Sequence, residues 1–199
     1  MSRSVAAGRA IGGVVLAVLL ASAAPGAETL GPVAWRRIEL GASKLLLSAT
    51  TSLSVERLPA ERARALLRTV PEGTPVPVPG SDVVALTTDT ALPFGRHEVT
   101  TVLLDPASGA VLQGDKLVTG RKPYQKVFRY TGEGFFFWRA APASPGEEKS
   151  SPEGWSKRRA RLVRAVAPVP EGAVVTDSYA LLYLVSAAGL NRQGSAVTT

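Results

Sequence analysis

The chain of 199 residues has no cysteine and one histidine, so two side chains much used in metal binding and catalysis are absent or scarce. Without cysteine there is no disulfide, thiol nucleophile, zinc-thiolate site or cysteine-held iron-sulfur cluster. Attachment of lipid to a cysteine after a signal peptide is excluded as well. Oxygen-only calcium sites remain compatible with this composition, but transition-metal ligands are missing. We therefore predict no cofactor and no metal site.

Recognisable catalytic motifs are also lacking. The single histidine, His97, is followed by Glu98 at the start of a predicted strand, and no Gly-x-Ser-x-Gly elbow accompanies it. No carboxylate pair is identifiable as an acid and a base, because the aspartates stand at turn or cap positions where they bond to nearby backbone. These aspartates are Asp82, Asp89, Asp105, Asp115 and Asp177. The sequence thus offers no catalytic residues and predicts a non-enzymatic protein.

The chain begins with the pattern of an export signal. Two arginines are followed by an apolar run at residues 10–20 and then by small residues. This run is shorter than the roughly 20 apolar residues that span a bilayer, and it suits the hydrophobic part of a signal peptide. We predict cleavage after Ala23 or Ala27, so that residues 1–27 are removed. The mature chain would then be periplasmic or secreted and would not span the membrane.

The mature chain is moderately basic. Of 23 basic residues two lie in the predicted signal, which leaves 21 against 16 acidic residues and a net charge of +5 instead of +7. Such an excess favours weak attraction to anionic lipids or polymers, while export argues against nucleic acid as a partner. The remaining chain of about 172 residues suits one domain with its own core.

Alternation of apolar and polar residues predicts a β-rich domain over residues 28–199. The clearest example is residues 43–57, where apolar side chains share one face and polar ones the other. Further strand patterns occupy residues 33–40, 82–90, 96–104, 110–119, 124–130, 135–140 and 156–166. Their short connections favour an antiparallel meander. The predicted fold is mainly β (α+β), a curved antiparallel sheet or partial barrel with one or two short packing helices.

Two short helices are predicted, at residues 59–70 and residues 178–188. Asp177 is placed to cap the second helix. The first is expected to stop at Pro71. Its predicted apolar side consists of Leu58, Ala65, Leu66 and Val70.

Three segments lack apolar periodicity. Residues 71–80 alternate proline with other residues, which favours an extended and unpaired connection. Residues 142–154 are rich in proline, glycine, glutamate and serine, which predicts a mobile surface loop. Residues 190–199 are expected to form a loose tail. The loop at residues 142–154 is too short to be a linker between large domains.

The densest aromatic cluster lies at residues 135–138. Because side chains alternate along a strand, Phe137 and Trp138 are expected to point to opposite faces. Such a strand is either packed on both faces or contributes to an apolar ligand groove on a concave face. Under the second interpretation the hypothetical ligand-binding residues are Tyr124, Phe128, Phe137, Trp138 and Tyr183.

Two basic runs occupy residues 121–126 and residues 157–164. Arginine presents forked donors that suit phosphate head groups and acidic polysaccharides. The alternative is that these residues are solvated faces or charged guards on edge strands. Under the first interpretation the hypothetical contacts to an anionic surface are Arg158, Arg159, Arg161 and Arg164.

Three stretches, taken in order, resemble a known family. They are W-R-R-I-E-L at residues 35–40, K-V-F-R-Y at residues 126–130 and V-T-D-S-Y-A-L-L-Y-L at residues 175–184. This order resembles an uncharacterised family of exported bacterial proteins, a domain of unknown function of the 3108-like type. The resemblance implies a curved antiparallel sheet similar to that of periplasmic lipoprotein carriers.

Two functions follow as hypotheses. In the first, the chain is a non-enzymatic periplasmic module that binds an apolar or amphipathic envelope molecule such as a lipid. In the second, it is a cell-envelope interaction protein without a small-molecule ligand, whose sheet edge and basic runs dock a protein or an anionic surface.

Overall fold

The computed structural model describes residues 19–20, 33–44, 47–165 and 174–187. Eight strands form one open antiparallel sheet in which each strand pairs with its neighbours in sequence. They are β2 (Arg37–Lys44), β3 (Leu47–Leu58), β4 (Val83–Leu92), β5 (Arg96–Leu104), β6 (Val111–Thr119), β7 (Tyr124–Thr131), β8 (Gly134–Ala141) and β9 (Lys157–Arg164). This confirms the predicted fold class, including its short helices α1 (Ala60–Leu66) and α2 (Leu181–Ala187).

A second, two-residue ladder lies outside this sheet. It pairs β1 (Leu19–Leu20) antiparallel with β10 (Val174–Val175). Because β1 falls within the segment predicted to be cleaved, cleavage would remove this ladder from the mature chain. The predicted tail at residues 190–199 and residue 188 of the predicted second helix lie outside the described residues.

The pleat of the strands gives the sheet two faces, which we call the α2 face and the α1 face after the helix that covers each. The core of the α2 face draws mainly on the first strands of the sheet. Its buried residues are Leu53, Val84, Leu86, Val102, Leu104, Val111 and Tyr130, packed with Ala180, Tyr183, Leu184 and Ala187 of the C-terminal segment. The core of the α1 face consists of Leu58, Val83, Ala85, Leu103 and Leu112, packed with Ala63. Strands β8 and β9 contribute no residue to these two clusters, although Phe136, Ala140 and Ala141 of β8 are themselves buried.

Helix α1 is shorter than predicted and buries a different side. It ends at Leu66 because Leu67 is extended, and the Gln113 side chain satisfies the freed backbone. Gln113 accepts a hydrogen bond from the Arg68 backbone at 2.8 Å and donates one to the Leu66 carbonyl at 3.1 Å. Ala63 is buried and Leu66 is 52% exposed. The predicted burial of Ala65 and Leu66 was therefore wrong, because the helix buries Ala60 and Ala63 and leaves Ala65 and Leu66 exposed. The predicted end at Pro71 was also wrong, since α1 ends at Leu66.

The guanidinium of Arg129 fastens the proline-rich segment to the α1 face. Arg129 is only 4% exposed. It donates to the Leu112 carbonyl at 2.6 Å and to the Val76 carbonyl at 2.9 Å. No carboxylate in the described part of the chain forms an ion pair with it, and burial lowers its pKa. These bonds explain why a charged side chain is retained inside the sheet.

The same segment is paired with β7, so the prediction that residues 71–80 are unpaired was wrong. Pro75 forms an isolated antiparallel bridge with Thr131. The Val76 backbone donates to the Tyr130 carbonyl at 2.9 Å. Proline prevents a longer ladder, since it has no backbone donor.

The C-terminal segment is joined to the sheet through Asp177. Its carboxylate accepts a hydrogen bond from the Tyr130 hydroxyl at 2.8 Å and one from the Tyr179 backbone at 2.9 Å. The predicted capping role of Asp177 is therefore confirmed, although the first turn, Ser178–Ala180, is a 3-10 helix. Burial, together with the charge of Asp177, raises the pKa of Tyr130, so this phenol remains a donor.

The loop at residues 142–156 contains two 3-10 turns. The Glu147 carboxylate accepts hydrogen bonds from backbone and side chains, and those from Ser156 and Ala143 contribute most to lowering its pKa to about 2. The Trp155 indole donates to the Glu147 carbonyl at 2.8 Å. The mobility predicted for this loop stays a prediction.

Substitution of Arg129 by methionine should destabilise the protein by about 2 kcal/mol or more, because buried carbonyls lose their donors. Urea unfolding followed by tryptophan fluorescence measures this difference. The matched control is Arg121→Met on an exposed turn, for which we expect less than about 0.5 kcal/mol. Equal stability of Arg129→Met and the wild type would contradict the role of this guanidinium.

Substitution of Tyr130 by phenylalanine should loosen the attachment of α2 while leaving the sheet intact. Removing the hydroxyl deprives Asp177 of one hydrogen bond, and we expect a loss of about 1–2 kcal/mol. Hydrogen exchange should become faster in Ser178–Ala180 and α2 but not in β4 and β5. Uniformly faster exchange in all these elements would show instead that the bond stabilises the whole domain equally.

A candidate site on the α2 face

Three of the five aromatic candidates, Tyr124, Phe128 and Phe137, lie on the α2 face, together with Phe135. Phe128 and Phe137 are cross-strand partners in β7 and β8, and their ring centroids are 5.2 Å apart. The ring of Phe135 lies 5.5 Å from that of Phe128. We call Phe128, Phe135 and Phe137 the aromatic group. All three are half-buried, as is Tyr124 at the start of β7.

Phe128 and Phe135 pack against the buried core, whereas Phe137 is not among the residues that do so. The aromatic group therefore extends from the buried core to the half-buried ring of Phe137, which lies outside the core. An apolar surface of this kind, bordered by polar residues, is a common feature of binding sites.

The other two aromatic candidates lie elsewhere. Trp138 points to the α1 face, as the alternation predicted, and its ring lies 4.6 Å from that of Phe136. It lines a pocket of about 260 Å³ with Arg68, Gln125 and the loop at residues 152–153. Tyr183 is 1% exposed in the core beneath α2. Trp138 therefore lies on the opposite face from the aromatic group, and Tyr183 belongs to the buried core against which Phe128 and Phe135 pack.

The four arginines of β9 are divided between the two faces. Arg159 and Arg161 pair with Arg139 and Phe137 and share the α2 face with them. Arg158 and Arg164 point to the α1 face, where Arg164 forms ion pairs with Glu72 at 3.0 Å and Glu133 at 3.3 Å. The pleat thus leaves two of the four predicted contacts beside the aromatic group.

Cations line up across four neighbouring strands on the α2 face. The register pairs Lys116 with Lys126, Lys126 with Arg139, and Arg139 with Arg159. We call these residues the cation row. Neighbouring strands are about 4.8 Å apart, so the row extends over about 14 Å. Like charges in directly opposed positions destabilise a sheet.

Within the described residues, only Lys116 of the cation row has an ion pair. Its ammonium lies 2.5 Å from Glu98 and donates to the Tyr179 hydroxyl at 3.2 Å. Burial acts to lower the pKa of Lys116, but the hydrogen bonds and charges of Glu98 and Tyr179 together outweigh burial and raise it. The pKa of Lys126 is lowered, chiefly by burial and further by repulsion from Lys116 and Arg139. The charge of Glu98 acts in the opposite direction on the pKa of Lys126, but neither Lys126 nor Arg139 forms an ion pair in the described residues. The middle of the row therefore holds a partly buried positive charge that no ion pair neutralises.

The ring of Tyr124 lies near two cations of the row and near Arg96. Lys126 is 5.1 Å from the ring centroid, Arg139 is 5.5 Å from it and Arg96 is 6.0 Å from it. Such cation-π contacts partly offset the repulsion between the cations. They also hold the cationic groups near one another at the end of the aromatic group.

The protection of edge strands explains only part of this charge. Strand β9 is an edge of the sheet, so its arginines fit the role of charged guards. Strands β7 and β8 are paired on both sides, and Lys126 and Arg139 protect no edge. Edge protection therefore does not account for the unpaired cations on the interior strands.

An open pocket of about 450 Å³ continues the site toward the loops. Its lining includes Lys122, Arg139 and Lys157, together with Glu148 as the acidic member. Its lining residues lie at the end of the sheet where β7 begins and β8 ends.

Sequence reasoning missed Lys116 and Arg139, and it noted Lys126 only as part of a basic run. The available signal was the short turn between β7 and β8, which places Lys126 opposite Arg139 once Thr131 is paired with Gly134. The sequence shows runs of charge along the chain, whereas the cation row forms across neighbouring strands.

Other titratable groups form no comparable site in the described residues. His97 lies 2.5 Å from Asp89 on the α1 face, both groups are exposed, and no hydroxyl bonds to this histidine there. Burial raises the pKa of Asp115, with opposition from its hydrogen bond to Gln125 and from Arg68. Over the described ranges, no group of three or more His, Cys, Asp or Glu side chains could hold a metal ion. No described helix is long and apolar enough to cross a membrane.

Substitution of Lys126 by glutamine should raise the stability of the free protein by about 0.2–1 kcal/mol at low salt, because it relieves cross-strand repulsion. High salt should shrink this gain. Because the folded pKa lies below the unfolded value near 10.5, the charged lysine destabilises at neutral pH and the gain should fade as pH rises through that folded pKa. Thermal and urea unfolding measure the difference, and a less stable variant would contradict it.

Comparison with known proteins gives no relative: neither a family model, nor a curated protein, nor a solved structure matches this chain. The resemblance to the exported 3108-like family therefore stays a prediction.

Proposed function

We propose that this chain is an exported, non-enzymatic module of the cell envelope that binds an amphipathic molecule carrying an anionic group. One observation carries the proposal: the cation row lies beside the aromatic group on the α2 face. The predicted signal segment supports export. The absence of a recognisable catalytic motif in the sequence supports binding without catalysis.

The spacing of the two groups suits an amphipathic ligand. Phe128 and Phe137 are each two residues along the strand from Lys126 and Arg139, a separation of about 7 Å. An apolar chain can pack on the two rings while its anionic head lies over the cations. The head would form charge-assisted hydrogen bonds, which are stronger than neutral ones. It would also neutralise the repulsion within the row.

The charge of the site favours an anionic head over an uncharged one. Lys126 and Arg139 are half-buried, so they have already lost part of their hydration in the free protein. An anion that binds there loses less in desolvating its partners than it would at fully exposed cations. A purely apolar ligand would leave the repulsion in place.

The first test is native mass spectrometry of the protein purified from its own envelope without detergent. We expect an additional mass that is lost on denaturation and belongs to an amphiphile with phosphate or another acidic group. A bare chain would contradict the proposal and favour the alternative of an envelope interaction protein that docks a protein or an anionic surface.

The second test compares variants on opposite faces, with dodecyl phosphate as the probe and dodecyl maltoside as its uncharged counterpart. Arg139→Gln should weaken binding of dodecyl phosphate by about tenfold or more. Phe137→Ala should weaken binding of both probes by about tenfold. Calorimetry measures the affinities, and circular dichroism checks that each variant is folded.

The matched controls are Arg158→Gln and Trp138→Ala. Both replace side chains that point to the α1 face, at positions next to those of the test variants in β8 and β9. Neither should change the affinity for either probe. If Trp138→Ala abolishes binding and Phe137→Ala does not, the ligand occupies the α1 face and the proposed site is wrong.

A further inference from the structure

The hairpin between β4 and β5 ends in an exposed aromatic side chain. Phe94 lies in the middle of the turn Pro93–Gly95. It is 80% exposed, more than any other large apolar residue exposed in the described ranges. Single exposed apolar residues are common on protein surfaces, so exposure alone does not indicate a function.

The backbone of Phe94 adds a second observation. Its φ is 62° and its ψ is 34°, which is the left-handed region. This conformation is unfavourable for a bulky side chain, whereas glycine and asparagine adopt it readily. Local strain of this kind is concentrated at functional positions. An aromatic ring that is both strained and exposed has no stabilising role within its own hairpin.

A cationic turn lies directly beside Phe94. Gly120, at the start of the turn between β6 and β7, packs so closely on the Gly95 carbonyl that a Cβ atom would collide with it. Arg121 and Lys122 follow and are exposed. Neither turn contains an acidic residue. One end of the sheet thus presents an aromatic ring next to two cations.

We propose that Phe94, Arg121 and Lys122 dock this end of the sheet on the headgroup region of an anionic lipid bilayer. An aromatic ring is favoured at the boundary between headgroups and acyl chains, and cations are attracted to anionic lipids. Burial of the ring offsets the strained backbone that exposes it. The opposite charge of such a surface is the reason for choosing a bilayer over an apolar protein groove. This surface adjoins the α2-face site, because Lys122 also lines the pocket that contains Arg139 and Glu148. Docking does not depend on the ligand of that site.

The test is co-sedimentation of the envelope-purified protein with vesicles of phosphatidylglycerol and phosphatidylcholine, compared with vesicles of phosphatidylcholine alone. The wild type should bind the anionic vesicles and dissociate at high salt. Phe94→Ser should weaken binding by about tenfold. Arg121→Gln and Lys122→Asn should each weaken it by about fivefold. Asparagine is chosen because Lys122 also has a positive φ of 57°.

The matched controls lie on α1. Leu66→Ser removes a side chain that is also more than half exposed, and Arg64→Gln removes an exposed cation. Both should bind vesicles as the wild type does. Absence of binding to anionic vesicles, or unchanged binding by Phe94→Ser, would overturn the proposal.

A folding defect is distinguished by Phe94→Gly. This variant relieves the left-handed strain, so its thermal midpoint should equal or exceed that of the wild type, while its vesicle binding should be weakened as much as that of Phe94→Ser. A lower midpoint together with lost binding would assign the residue to the fold instead. Vesicle binding and amphiphile retention are separate measurements, so failure of one proposal leaves the other in place.

Discussion

The register of the β7–β8 hairpin determines which side chains form the proposed ligand-binding surface. Thr131 pairs with Gly134 around a two-residue turn, and this pair sets every other pair between the two strands. Gly134 has a φ of 149°, and a Cβ atom there would collide with the Val163 carbonyl of β9. A slip of one residue in β8 would turn Phe137 and Arg139 to the α1 face and bring Trp138 to the α2 face. The site therefore depends on a tight turn some distance from it.

The two ends of the sheet differ in how much they contribute to the buried core. Strands β3 to β6 supply most of the apolar core beneath α2. Strands β7 to β9 carry half-buried rings and cations on that face, and Tyr130 is their only contribution to its described buried core. Stability is thus concentrated in one part of the sheet. The other part can retain a repulsive row of charges at a cost that the core tolerates.

Local pattern predicted the strands well because period two and short connections are properties of neighbouring residues. The end of α1 was missed because the side chain of Gln113, distant in sequence, replaces the next helical hydrogen bonds. The pairing of the proline-rich segment was missed for a similar reason, since Arg129 holds it from β7. The division of the β9 arginines follows from alternation alone. Prediction of the cation row requires the register of three pairs of strands, and the distribution of charge along the sequence does not reveal that register.

The two proposed surfaces have compatible positions in the sheet. Lys126 is two residues from the start of β7, and the turns that contain Phe94 and Lys122 are at this same end. Phe128 lies two residues further from that end than Lys126. An amphiphile on the α2 face would therefore have its anionic head toward the proposed bilayer and its apolar chain along the aromatic group. Exposure of the apolar chain to water is the unfavourable part of moving an amphiphile between sites. Because the anionic head would meet the cations next to the membrane surface, the apolar chain of the amphiphile would reach the aromatic group with little exposure to water.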